Sequence, residues 1–210
     1  MKIKTFIFNP FQVNTFVLYD ETLEAAIVDC GCYSEAELNQ MLDFIKSENL
    51  NVKKIIITHP HLDHIFGVAD LKKALNVPVY AHVKSASFVT GADSDAKAYG
   101  FDGVKSFEID ETVEHGDTIA FGSTKLEVLY TPGHVDGSIC LYHKSTSELF
   151  SGDVLFKGGI GRTDLPTGDY GMLIDNIRSK ILTLPDETIV YPGHGDSTTV
   201  YDEKMNNPFL

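Results

Sequence analysis

Cysteine, positive charge and long apolar runs are all scarce in this sequence. Only three cysteines occur, Cys30, Cys32 and Cys140. The number is odd, no Cys-x-x-Cys pair exists, and Cys30 and Cys32 are too close for an easy bridge. A disulfide-stapled scaffold is thereby excluded, and a reducing compartment is the natural setting. Lys and Arg number 17 against 30 Asp and Glu, so the chain carries a formal charge of −13. Most of such a surface repels a phosphate backbone, which argues against nucleic acid as the substrate. No apolar stretch reaches the roughly 18 residues of a membrane span. The start, Met1-Lys2-Ile3-Lys4-Thr5, is too short an apolar run for a signal peptide. The expectation is a cytoplasmic protein that engages neither membrane nor nucleic acid.

What is present suits a globular fold. With 210 residues, 43% of them hydrophobic, the chain buries enough apolar surface to form one domain over 1–210 without staples. Strand patterns run over 2–8, 14–20 and 24–29. Ser34 and Glu37 form a capping box. Leu38, Met41, Leu42 and Ile45 then mark one face of a helix. The β-branched run 53–58 predicts a buried strand. A helix is expected over 64–75 and a strand over 77–81. Residues 90–106, with Gly91, Gly100 and Gly103 among Asp and Ser, read as a loop overhanging the site. Strands return at 117–121, 124–130, 138–143 and 147–151. A glycine-rich irregular stretch, a helix over 169–182 and a strand over 188–191 follow. The tail after 200 carries little signal.

The chemistry concentrates where strands end. Thr58-His59-Pro60-His61-Leu62-Asp63-His64 follows the strand ending at 58. On a helix His59 and His61 would point to nearly opposite sides, and Pro60 drives His59 out of helical backbone. A loop can turn all four side chains inward, and imidazole with carboxylate suits zinc, iron or manganese. Strand 126–130 leads into Thr131-Pro132-Gly133-His134, and strand 187–191 into Pro192-Gly193-His194. Strand 148–151 leads into Gly152-Asp153, a carboxylate whose two oxygens can serve two cations. The set is His59, His61, Asp63, His64, His134, Asp153 and His194. His82, His115 and His143 have no partners at ligand spacing and read as packing or surface residues. Because no cysteine joins the set, a closed structural zinc site is disfavoured. Asp29 reads either as a turn residue or as support behind the site.

The order THxHxDH, PGH, GD, PGH over residues 58–194 resembles the metallo-β-lactamase superfamily. That resemblance implies an α/β (α+β) fold, a four-layer αβ/βα sandwich of two mixed sheets flanked by helices, with metals at the edge between the sheets. It implies two divalent ions, zinc first, with iron or manganese as alternatives. His59, His61 and His134 would hold one ion, Asp63, His64 and His194 the other, and Asp153 would bridge them. A water between two such cations loses a proton near neutral pH and attacks a carbonyl, with Asp63 orienting it as a catalytic group. Gly158 to Asp164 and Tyr191 to Thr199 resemble the short bacterial members of the glyoxalase II-like branch. The resemblance there implies hydrolysis of a small-molecule thioester or ester, with a hydroxyacyl-glutathione as the family's substrate. Arg162 stands where a cationic substrate contact is useful, or else pairs with Asp164.

One departure concerns glutathione. Full-length glyoxalase II carries a helical C-terminal domain that helps grip it, and this chain ends sixteen residues after His194. Segment 83–107 is the candidate replacement cover. Persulfide dioxygenases form the first rival, since they share the fold, the first histidine cluster and a GRTD segment. In them one iron uses two histidines and an aspartate, here His59, His134 and Asp153. A nuclease of the same superfamily is the second rival, opposed by the negative charge.

Overall fold

A computed structural model describes residues 1–210. The first half builds a six-stranded sheet in simple chain order. Its strands are β1 (Lys2–Phe8), β2 (Val13–Tyr19), β3 (Glu24–Val28), β4 (Asn51–Ile56), β5 (Val79–His82) and β6 (Glu111–Val113). The pairs from β1 to β3 are antiparallel, and those from β3 to β6 are parallel. The second half supplies β7 (Thr118–Phe121), β8 (Thr124–Tyr130), β9 (Ile139–His143) and β10 (Glu148–Gly152). A small ribbon, β11 (Leu155–Phe156) with β12 (Gly159–Ile160), precedes β13 (Ile189–Pro192) and β14 (Thr198–Thr199). The second sheet has the order β14-β13-β10-β9-β8-β7.

The layering follows from residues alternating along strands. Phe16 and Leu18 of β2, Ala26 and Val28 of β3, and Leu126 and Val128 of β8 meet in one buried cluster between the sheets, with Ile139 and Leu141 of β9. Val17, Ala25 and Ile27 point the other way and join Met41 and Ile45 of helix α1 (Glu35–Ser47). Cys140 and Tyr142 likewise face away from the intersheet cluster, toward Leu173, Ile177 and Ile181. Strands covered on both faces read as nearly continuous apolar runs, as 25–28 and 139–142 do. Each fully buried Leu or Ile there contributes about 1.5–3 kcal/mol. Two mixed sheets with helices outside give the expected sandwich.

Helix α1 begins as its capping box requires. Ser34 Oγ accepts from the Glu37 N–H, and the Glu37 carboxylate accepts from the Ser34 N–H at 3.0 Å. Three expectations need correction. The helix expected over 64–75 is two pieces, α2 (Leu62–Ile65) and α3 (Val68–Leu75), parted at Gly67. Gly67 N–H donates to the Cys30 carbonyl at 3.0 Å, and a Cβ there would lie 2.7 Å from the Cys32 carbonyl oxygen, so the chain must turn closely past 30–32. Segment 90–106 is not all loop. After α4 (Ala86–Thr90), residues Ala92–Ala98 form α5, with Asp93 and Asp95 in its first turn, Lys97 in its last, and Ala92 and Ala96 buried one turn apart. The tail also holds structure. After α6 (Tyr170–Asn176), which continues as a π-helical turn over Ile177–Ile181, comes α7 (Val200–Asn206). Thr199 caps α7 by accepting from the Asp202 N–H at 3.1 Å. No helix is long and apolar enough to cross a membrane.

Candidate metal centre

Strand direction brings the seven residues together. β8 and β10 are both antiparallel to β9, and β13 is parallel to β10, so all three end on one edge of the second sheet. His134, Asp153 and His194 follow those ends directly. The turn after β4 is tied to the same edge, because Thr58 O accepts from the Ile139 N–H at 2.8 Å. His59 and His61 lie on the extended link, as expected, whereas Asp63 and His64 ride on the short helix α2. The two Pro-Gly-His turns need their glycines for close approach. A Cβ on Gly193 would collide with Asp153 Oδ1 and come within 2.6 Å of His64 Cε1. Gly133 adopts φ +131° against the backbone of Leu173.

Two ligand groups result. His59, His61 and His134 offer atoms within 4.8 Å of one another, and so do Asp63, His64 and His194. Asp153 stands between them. Its Oδ2 lies 3.9 Å from His59 Nε2, 3.8 Å from His134 Nε2 and 3.5 Å from His194 Nε2. Its Oδ1 lies 3.3 Å from His64 Nε2, without hydrogen-bond alignment. Asp63 Oδ2 lies 3.3 Å from His194 Nε2.

The outer ring nitrogens are all engaged except that of His61. His59 Nδ1 meets Thr58 Oγ1 at 3.1 Å, and His64 Nδ1 donates to Asp29 Oδ2 at 2.9 Å. His134 Nδ1 donates to the Arg162 carbonyl at 2.8 Å, and His194 Nδ1 to the Phe11 carbonyl at 2.9 Å. Each such partner turns the other nitrogen, Nε2, inward as a donor of electrons. Inside, His134 Nε2 faces His61 Nδ1 at 2.9 Å, and His64 Nε2 faces His194 Nε2 at 3.2 Å. Lone pairs so close repel unless a proton or cation lies with them. His59 Nε2 and Asp153 Oδ1 are buried without any hydrogen-bond partner, which is costly for polar atoms. These orphaned donors, of the right chemistry and aimed into one space, fit divalent cations.

Protonation divides along the same line. Burial holds His59 well below the ordinary imidazole value, and the nearby His64 adds to the effect. Burial and His134 lower His61 to about 4, and burial also lowers His134. The first triad therefore presents neutral imidazoles. Burial works against protonation of His64 as well, but Asp153, Asp63 and Asp29 outweigh it and raise that ring well above its usual value. At His194 burial is outweighed by bonds to Asp153 and Asp63, which raise it to about 9. Burial alone would raise Asp153, yet His64, His194 and His59 drive it well down. In the second triad protons thus stand where a cation would supply the charge.

Asp29, His59 and His64 form a third close group. Asp29 is already spent, however. Its Oδ1 accepts from the Thr58 N–H at 2.7 Å, and its Oδ2 accepts from Thr58 Oγ1 at 2.6 Å besides the bond from His64. It is a brace behind the site rather than a turn ornament. The sequence hint was its place just past the end of a strand, as with the other site residues. His82 and His143 are buried outside the site, His82 stacked on Tyr130 at 4.1 Å. His115 is exposed. The Arg162 guanidinium forks onto Asp164 with two bonds of 2.7 Å, and both side chains are mostly exposed.

A cavity of about 770 Å³ opens beside His61, Asp63, His134 and Asp153. Phe11, Tyr99, Phe101, Phe156, Leu165 and Arg162 complete its wall. Tyr99 and Phe101 fall in the segment 83–107 that the sequence offered as a cover, and Arg162 was singled out as well; Phe11, Phe156 and Leu165 carried no signal, because an apolar residue in a loop looks like core.

Comparison with known proteins agrees with this geometry. The chain is 35% identical over 212 residues to hydroxyacylglutathione hydrolase GloC of Haemophilus influenzae, covering all of this chain and 98% of that one. Among solved structures it resembles the BLEG-1 B3 metallo-β-lactamase, with TM-score 0.90 and 36% identity over 100% and 99% of the two chains. A di-iron-bound form of TTHA1623 matches with TM-score 0.86 and 34% identity over the whole of both chains. ETHE1 from Myxococcus xanthus matches with TM-score 0.82 and 29% identity over 99% and 84%. The family model for the metallo-β-lactamase superfamily matches residues 8–194, a span that takes in every strand-end residue described above, and the chain belongs to that superfamily.

Proposed function

We propose that this chain is a dinuclear metal-dependent hydrolase that cleaves a small-molecule thioester in the cytoplasm. The observation that carries the reading is Asp153, whose two oxygens reach toward both histidine groups at once. His59, His61 and His134 would hold one ion and Asp63, His64 and His194 the other. Zinc suits these N and O donors, with iron or manganese as alternatives. A pair of such cations lowers the pKa of water and stabilises charge developing on a carbonyl oxygen.

The chain's own groups do the rest. Asp63 borders the cavity, and its Oδ1, the oxygen not turned toward His194, would accept a hydrogen bond from water and aim it at the substrate. The aromatic wall keeps bulk water away from the carbonyl. Water adds to the carbonyl carbon, the carbon–sulfur bond breaks, and sulfur leaves with the electron pair and takes up the proton given up by the water, becoming a thiol. The acid keeps the oxygen of the water. Support for a thioester comes from the similarity to the Haemophilus influenzae hydrolase. The cytoplasm suits three unpaired buried thiols.

One rival rests on a specific arrangement. His59, His134 and Asp153 alone could serve a single iron in an oxygenase, and ETHE1 shares the fold. Metal content of protein purified without added metal separates the two. About two ions per chain is the expected result, and about one iron with little zinc overturns it. Asp63→Ala sharpens the test, since it should lower hydrolysis about 100-fold or more by removing both a ligand and the water-orienting group.

A further inference from the structure

The cavity beside the metal centre has a chemical character that the metal ligands do not explain. Away from them and from Arg162, its wall is Phe11, Leu62, Tyr99, Phe101, Phe156 and Leu165, all aromatic or aliphatic. Tyr99 is 72% exposed and Phe11 49%, an unusual outlay of ring surface unless something covers it. Phe11 and Phe101 are also held in place. Phe101 packs on Phe11 at 5.5 Å, on Phe66 at 5.1 Å and on Tyr33 at 5.6 Å. Phe66 follows α2 directly, so the wall is anchored to the turn that carries Asp63 and His64. Phe11 has two parts in one residue: its carbonyl orients His194 and its ring lines the cavity.

Charge around the cavity is as telling. Arg162 is the one Lys or Arg in its wall, and both arms of its fork are taken by Asp164. Of the lysines on the neighbouring segments, Lys157 pairs with Asp196 and Lys105 with Asp70, while Lys97 is exposed and lies outside the wall. A glutathione carrier brings two carboxylates, and the cavity wall holds no unpaired Lys or Arg to receive them. An uncharged, apolar group meets a preformed surface.

We infer that this cavity selects a carbonyl substrate whose flanking group is apolar or aromatic and whose carrier is uncharged, in preference to a glutathione conjugate, with Phe101 and Phe11 as the specificity-determining residues. For the reaction, though not for the binding preference, this rests on the hydrolytic reading above. It narrows that reading, because hydroxyacyl-glutathione becomes the poorer member of the thioester class.

The test uses the metal-loaded full chain and three thioesters: phenylpropionyl and acetyl thioesters of N-acetylcysteamine, and lactoyl-glutathione. The phenylpropionyl compound should have the highest kcat/KM. Phe101→Ala should reduce the phenylpropionyl-to-acetyl preference about tenfold, the scale on which hydrophobic pockets discriminate, chiefly through KM. Phe11→Ala, which keeps the carbonyl that orients His194, should act in the same direction. Preference for lactoyl-glutathione, with the ratio indifferent to both variants, overturns the inference and leaves the hydrolase standing. If no thioester turns over, the hydrolytic reading fails, and calorimetric binding of methylene analogues, with CH2 in place of sulfur, decides the cavity's preference. Tighter binding of the phenylpropionyl analogue, weakened by Phe101→Ala, supports it. Tighter binding of the glutathione analogue overturns it.

Discussion

The ring nitrogens that face away from the centre carry as much of its design as those that face in. Asp29 holds a left-handed backbone at φ +54° and uses both oxygens on Thr58 and His64. Asp29→Asn keeps that backbone, which asparagine tolerates, but loses one acceptor. Such a loss behind a ligand lowers metal affinity about 10–100-fold. Competition with a chelating indicator measures it, and unaltered affinity would show that His64 needs no brace. His134→Ala removes a ligand outright. Turnover should fall at least about 100-fold, while circular dichroism stays native. Normal turnover in that variant removes His134 from the site.

Short elements set the angles at which these residues arrive. The break between α2 and α3 lets two ligands ride on a single turn while α3 packs on the first sheet. Its cause is local. A Cβ on Gly67 would lie 2.7 Å from the Cys32 carbonyl oxygen and 2.9 Å from Cys30 Sγ, and a peptide cannot retreat as a long side chain does. Gly67→Ala should therefore cost about 1–3 kcal/mol, as overpacking does. The urea midpoint reads that loss directly. A cost below half of it would mean that the chain at 30–32 yields. Helix α5 teaches a related lesson. Its turns rest on two alanines and end charges, a pattern too short and too weakly apolar for periodicity to separate from loop.

At the scale of the molecule, the two sheets are fastened at the rim as well as through their shared core. Asp20, just past β2, accepts from the Ser123 N–H at 2.8 Å and the Thr124 N–H at 3.0 Å on the β7–β8 hairpin. It also accepts from the Thr22 N–H at 2.9 Å. Burial alone would raise this carboxyl, but bonds from Thr22 and Ser123 outweigh it and hold it well below the ordinary carboxylate range. A depressed native pKa means the stabilisation is complete above the unfolded value, about 4, and is lost as pH falls toward the native value. Denaturant midpoints should thus decline from pH 5 toward pH 2. Asp20→Asn should lower stability at neutral pH and flatten that part of the decline. An equally steep acid limb in the variant would place the acid sensitivity elsewhere.

The sequence by itself singled out seven candidate ligand residues and the order in which strands deliver them. Seven metal-type side chains placed just after apolar strands are a local pattern, and local patterns survive without coordinates. Strand positions were legible for the same reason, since strands buried on both faces read as continuous apolar runs over spans such as 139–142. Only the tertiary structure decided what those side chains do to one another. That Asp153 stands between two histidine groups depends on β8, β10 and β13 ending on one edge, and pairing direction is not written in any single strand. That Asp29 braces His64, across thirty-five residues, depends on β3 lying beside β4. The aromatic wall of the cavity was hidden most completely. Phe11, Phe101 and Phe156 belong to segments distant in sequence, and a phenylalanine reads as core until its neighbours show that it faces a cavity.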